Sequence, residues 1–178
     1  MRFNTSVVAV LTLATFAMNA AAQTRPDFSG RWTVAPPAAP EGGRGATPAG
    51  GDMGSGWGAT ITLTQNAAAL TLEWAFFSRA DLQPPITFVY PFDGADHANA
   101  FMMGRGLERQ VSRSTWNGTT LVIVTTQSFP NLVPGQTVES VVTRTLSLES
   151  PTSLVVETTR NGVLGGRAST TRTTYTKS

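Results

Sequence analysis

The sequence predicts an all-β chain, a single up-and-down antiparallel β-barrel of about eight to ten strands. Three observations carry that prediction. After Gly58 apolar side chains recur at every second position, the period of a strand with one buried face. Turn dipeptides interrupt the alternation at Asp93-Gly94, Asn117-Gly118, Pro134-Gly135 and Asn161-Gly162. The 27 threonines and the β-branched runs favour extended backbone, and no stretch shows a convincing helical period. A hairpin series of this length must close or fold over, because open edges invite pairing with other chains, and a barrel removes them fully.

The chain divides before the first strand. Arg2 gives a short positive start, Val7 to Ala17 form an apolar run, and Ala20-Ala21-Ala22 precede Gln23. This is the pattern of a cleaved secretory signal over 1–22, and the apolar run is shorter than the ~20 residues a membrane-spanning helix needs. The expected mature chain, 23–178, is one domain in the periplasm or outside the cell, with no transmembrane span after cleavage. No cysteine is present, so the fold must stand on its core without disulfides. Without Arg2 the chain carries 12 Lys and Arg against 11 Asp and Glu. That near-neutral balance, with no cationic cluster, argues against nucleic acid as a partner.

Phe28 to Val34 reads as the first strand. Pro36 to Gly58 is rich in Pro, Gly and Ala and poor in apolar residues, so 36–58 is expected to be a flexible insertion. Its Trp57, between two glycines, is expected to dock on the barrel or line its mouth. Ile61 and Leu63 alternate with Thr60, Thr62 and Thr64. A turn at Asn66 to Ala69 then returns the chain through Leu70, Leu72, Trp74 and Phe76. Pro84-Pro85 excludes a central strand at that point, and Ile86, Phe88 and Tyr90 share the face of the next one. Asp93-Gly94 opens a polar stretch through Asn99, followed by Phe101-Met102-Met103. Leu107 to Trp116 reads as a polar strand, reversed at Asn117-Gly118 into Thr119 to Gln127. Thr137 to Glu149 is the longest strand, with Val138, Val142, Leu146 and Leu148 on one face. Ser150-Pro151-Thr152 turns it into Leu154 to Thr159, and Asn161-Gly162 and Gly165-Gly166 lead to a last strand over 167–177.

Gly30-Arg31-Trp32 at the head of the first strand resembles the Gly-x-Trp opening of lipocalin-like (calycin) barrels. Three further stretches resemble exported bacterial members of that group. They are Tyr90-Pro91-Phe92-Asp93-Gly94, the hairpin from Ser114 to Ile123, and the closing strand Arg172 to Lys177. The resemblance implies a barrel whose closed end is plugged by Trp32, with Gly30 letting the chain pass beside it. It also implies a cation from the last strand lying across the indole, for which Arg172 is the candidate and Arg167 the second. The opening is similar as well to that of intracellular fatty-acid-binding proteins, whose last strand carries an Arg-x-Tyr carboxylate clamp. Here the spacing is Arg172-x-x-Tyr175, which sets the two side chains on opposite faces.

Among residues with chemistry, His97 is the only histidine, flanked by Asp93 and Asp96. It reads either as a solvated loop residue or as a base or metal ligand with a raised pKa. One histidine excludes the common multi-His zinc sites, and no metal or other cofactor is expected. Gly104-x-Gly106 lacks the third glycine and the flanking pattern of a dinucleotide fingerprint. Trp74, Phe76, Phe88, Tyr90 and Val142 either line a cavity or fill the core. Arg144 shares the apolar face of its strand. It either points inward, toward an anionic or hydrogen-bonding ligand, or is turned out by a bulge.

These readings predict a barrel that binds a small apolar or amphipathic molecule in its cavity. One alternative is a cofactor-independent isomerase, lyase or cyclase. In it His97 or Asp96 supplies the base, Arg144 or Arg113 the cation, and Tyr90 or Tyr175 the acid. The other alternative is a structural or envelope-interaction protein.

Overall fold

Period-two alternation yields ten strands: β1 (Gly30–Val34), β2 (Thr60–Gln65), β3 (Ala69–Trp74), β4 (Ile86–Pro91), β5 (Asp96–Met103), β6 (Gly106–Asn117), β7 (Thr120–Pro130), β8 (Thr137–Ser150), β9 (Ser153–Arg160) and β10 (Ser169–Lys177). The computed structural model describes residues 24–36, 54–74, 85–103, 106–130, 137–161 and 167–178, with backbone alone at 102, 103, 106, 107, 129, 130 and 137. The expected signal at 1–22 and positions 37–53 of the insertion lie outside the described residues. No helix occurs among the described residues, so none is long and apolar enough to cross a membrane.

The strands form one antiparallel sheet in the order β4-β3-β2-β1-β10-β9-β8-β7-β6-β5. Each pairs with its chain neighbour, and β1 joins β10 through Trp32↔Lys177 and Val34↔Tyr175. The exception is β4 with β5, which follow each other in the chain without a backbone ladder. Asn99 bridges that seam. Its Oδ1 accepts from the Val89 N–H at 2.8 Å, and its Nδ2 donates to the Val89 carbonyl at 3.1 Å. One carboxamide thus makes the two bonds a neighbouring strand would make, and the sheet becomes a nearly closed barrel.

The β2–β3, β4–β5, β6–β7 and β8–β9 turns all lie at one end. At this end the segment before β1 crosses the opening. The first strand therefore starts at Gly30, two residues later than the alternation predicts. Phe28 is drawn out of the ladder to stack on Trp116, with centroids 5.8 Å apart and planes within 5°. Phe92 meets the same indole edge-on at 5.3 Å. Gln65 stitches the crossing segment down, accepting from Phe28 N and donating to the Pro26 carbonyl at 2.9 Å. Trp32, fully buried, donates its indole N–H to the Phe28 carbonyl at 2.9 Å.

The cation over Trp32 is Lys177, with Nζ 5.3 Å from the ring, and this corrects the expectation for Arg172. Register decides the matter: Lys177 faces Trp32 across the β1–β10 ladder, whereas Arg172 faces Glu157 on β9. Arg172 lies on the outer surface and pairs with Glu149 and Glu157. Gly30 is required here in the extended positive-φ region (144°), and a Cβ on it would collide with the Lys177 stem. The missing side chain leaves the path by which the lysine reaches the indole.

Candidate functional site

Below this plug the interior is apolar, and toward the opposite end it divides into two unlike walls. The aromatic wall comes from β3, β4 and β5, through Trp74, Phe88 and Phe101. Phe88 and Phe101 pack edge to face, 5.1 Å apart and 82° between planes. The other wall comes from the inward positions of β6 to β9, where Gln110, Gln127, Ser140, Val142, Arg144 and Arg160 point in. Gln127 donates to the Gln110 carboxamide oxygen at 3.0 Å, and one step deeper Ser112 and Thr125 share a hydrogen bond of 3.0 Å. Between the walls lies a cavity of about 650 Å³, within the roughly 300–1,000 Å³ typical of small-molecule sites.

The segment Gly54 to Gly58 enters this cavity. The expected flexible insertion, as far as it is described, is therefore packed: Ser55 and Trp57 are buried. Gly54, Gly56 and Gly58 all take positive φ, which coils the backbone tightly enough to turn Trp57 inward. A chain of hydrogen bonds fixes the coil. Trp57 N–H donates to Ser55 Oγ at 3.1 Å, the serine hydroxyl donates to Tyr175 Oη, and the tyrosine donates to the Gly58 carbonyl at 2.9 Å. Two arginines hold the other side. Arg144 Nε donates to the Ser55 carbonyl at 2.8 Å and Arg160 Nη2 to the Gly54 carbonyl at 2.8 Å. The Arg144 guanidinium also lies over the Trp57 ring at 5.0 Å.

Arg144 points inward and is buried. The one register shift of β8 against β9 falls later, between Leu148 and Ser150, so it does not turn Arg144 out. Burial pulls the guanidinium below its ordinary pKa, and the nearby Arg160 charge adds to this while Tyr90 and Tyr175 oppose it. Arginine remains a cation throughout the physiological range. Burial likewise pushes the Tyr90 phenol up to about 12, with Arg144 pulling the other way. Trp57 and Gln110 adjoin the Tyr90 hydroxyl without reaching hydrogen-bond geometry, so Oη is buried and unpartnered, as are Ser114 Oγ and Thr158 Oγ1. Burial also raises the Tyr175 phenol, against its bond to Ser55.

Of the residues singled out in the sequence, Trp74, Phe88, Val142 and Arg144 line the cavity. Tyr90 sits behind them, 6.3 Å from Phe88 and 6.2 Å from Trp57 between ring centroids. Phe76 lies outside the described residues. Tyr90, Tyr175 and Arg144 are brought together, but the proposed catalytic group is not completed. His97 and Asp96 stand in β5 near the tight-turn end, and the loop placement of His97 is corrected to a strand. His97 Nε2 meets Asp93 at 2.9 Å and Arg113 meets Asp96 at 2.9 Å, both as solvent-exposed pairs away from the cavity lining. Among the described residues no three His, Asp or Glu converge in a form that could hold a metal.

Sequence reasoning missed Phe101, Gln110, Gln127 and Arg160. A signal existed for the glutamines: Gln110, Ser112 and Ser114 alternate with Arg109, Val111 and Arg113, which is a strand pattern with the polar face inward. No protein-family model matches the chain, and no curated protein does either.

Proposed function

We propose that this protein is an exported, calycin-type barrel that binds one small apolar or amphipathic molecule in the cavity between its two walls. A single observation carries the reading: the about 650 Å³ cavity combines an aromatic wall with a polar wall. A barrel that served only as a scaffold would gain by filling that space, since a void forfeits the contacts of every atom lining it. Binding is favoured over catalysis because His97 and Asp96, the proposed bases, pair elsewhere with Asp93 and Arg113. The leader-like 1–22 supports a periplasmic or extracellular site of action.

The test is native mass spectrometry of protein purified gently from its own compartment, with thermal unfolding in the presence of lipids and aromatic compounds. A co-purifying mass, or a melting temperature raised by a subset of the panel, is the expected result. A bare protein mass together with an unchanged melting temperature across the panel overturns the reading.

A further inference from the structure

Of the three arginines on the cavity lining, Arg109 alternates with the inward face of β6, whereas Arg144 and Arg160 point in from the polar wall, and neither of these two has a carboxylate partner among the described residues. All the ion pairs of the described residues lie on the surface, at His97–Asp93, Arg113–Asp96 and Arg172 with Glu149 and Glu157. Arg144 and Arg160 instead meet backbone carbonyls, which accept a hydrogen bond but leave the charge uncompensated. Each takes one of the five N–H donors that a guanidinium presents. A buried charge without a counter-charge is costly, and here a second cation of the same sign stands beside it. A Cβ placed on Gly56 would be 3.1 Å from Nη2 of both arginines, so these nitrogens lie no more than about 6 Å apart. Glu108, the one carboxylate on the cavity lining, is on β6 and pairs with neither.

Building on the reading of the cavity as a ligand site, we infer that its ligand is an organic monoanion. A carboxylate or similar oxyanion is seated against Arg144 and Arg160, and an apolar, ring-bearing body lies against Trp57, Trp74, Phe88 and Phe101. The anion supplies the counter-charge that neither guanidinium group finds among the described residues. Charge-assisted N–H···O⁻ bonds are about twice as strong as neutral ones, and they act here in a largely desolvated interior. Two guanidinium groups from adjacent strands, Val142↔Arg160 and Arg144↔Thr158 in the ladder, offer donors to both oxygens of a planar head group. The body of the ligand then replaces lost water contacts with ring faces. Neutral ligands of the same shape fill the same space but leave the two cations facing each other.

The experiment compares two probes that share a body and differ in charge. Anilinonaphthalene sulfonate carries one anionic group, and phenylnaphthylamine has the same rings without it. With the full-length mature protein, fluorescence titration is expected to give the sulfonate an affinity at least about tenfold above that of the neutral amine. Arg144→Met and Arg160→Met are each expected to reduce this ratio several-fold, and the pair together to bring it near unity. Arg144→Lys keeps the charge and covers the case in which Arg144→Met fails to fold, and it is expected to retain part of the preference. Equal affinities in the wild-type protein overturn the anion site while leaving the cavity reading intact. A preference that persists in the double variant also overturns it, since the charge would then be recognised elsewhere. Failure of both probes to bind overturns the cavity reading and the anion site together.

Discussion

Replacing Asn99 tests whether one carboxamide closes the barrel. In Asn99→Leu the shape is nearly kept, and both bonds to Val89 are lost. Each such bond is worth about 0.5–1.5 kcal/mol net, so the pair is worth about 1–3 kcal/mol. Val89 is 42% exposed, and its freed N–H and C=O can turn toward water, which places the expected loss at about 1–2 kcal/mol. For a domain of this size that is a fall in Tm of roughly 2–8 °C. The change is local, so amide exchange at Val89 should quicken more than at Leu72 or Ile123, by about tenfold for each 1.4 kcal/mol. Asn99→Asp separates the two bonds. Its Oδ1 still accepts from Val89 N–H, but the second oxygen now faces the Val89 carbonyl, which raises the introduced carboxyl's folded pKa. A raised folded pKa contributes stability that is present at low pH and lost as pH rises, because the protonated acid can donate to the carbonyl. The deficit of this variant should therefore grow from roughly pH 4 to pH 7. Calorimetry with hydrogen exchange measures both effects. If Asn99→Leu lowers Tm by under about 1 °C and Val89 protection is unchanged, the seam is held by something other than this side chain.

At the plugged end, Lys177→Met should cost about 0.5–2 kcal/mol by removing the cation from Trp32. Arg172→Ala, which breaks only exposed pairs, should cost about 0–1 kcal/mol. Urea unfolding that ranks the two in the opposite order would return the indole contact to Arg172. Gly30→Ala should destabilise by more than 1 kcal/mol, on the order set by a strained backbone position, because positive φ and the Lys177 stem both exclude a Cβ. Lys177→Ala in the same chain should relieve part of that loss. The chain has two tyrosines, and burial raises both phenols, Tyr90 to about 12 from an ordinary 10.0. Tyr90 should therefore stay largely un-ionised in the folded protein at pH 10 to 11, about the ordinary tyrosine range. Stability that is whole below pH 10 should be lost as pH climbs toward 12, because the unfolded phenols ionise first. Phenolate absorbance of both tyrosines near pH 10 without unfolding would show that Tyr90 is open to solvent.

The legible half of the barrel is the half whose interior is apolar. In β2, β3 and β4 buried Ile61, Leu63, Leu70, Leu72, Phe88 and Tyr90 alternate with exposed or half-buried Thr, Glu and Val, and period-two reading finds them directly. In β5 and β6 most inward positions are polar, with Asn99, Gln110, Ser112 and Ser114 all buried. Hydropathy there reads as a polar turn and a polar strand, so the wall that makes the site distinctive carries the weakest signal. Arg144 illustrates the limit from the other side. Its neighbours Val142 and Leu146 fix the face, but only the position of the β8 irregularity decides whether that face survives to Arg144. Arg160 depends on a contact with Gly54 across 106 positions of chain, and Trp57 on the guanidinium of Arg144 from a distant strand, neither of which a local period encodes. Lys177 was missed for want of a register, since motif spacing alone cannot say which residue of β10 stands opposite Trp32.

The chain leaves β1 and rejoins the barrel at two anchored posts. On one side Val34 N–H bonds the Ala59 carbonyl at 2.8 Å and Ala35 N–H bonds the Thr174 carbonyl at 2.8 Å. On the other, Gly54 and Ser55 are gripped by Arg160 and Arg144. The length of chain strung between those posts is thereby uncoupled from strand register, since doubling a connection adds only about 0.6 kcal/mol of closure entropy. The connection between the posts is thus a natural cassette by its anchored ends. Peptide epitopes, affinity tags or whole small domains spliced between them should leave the strand pairing on either side as it is.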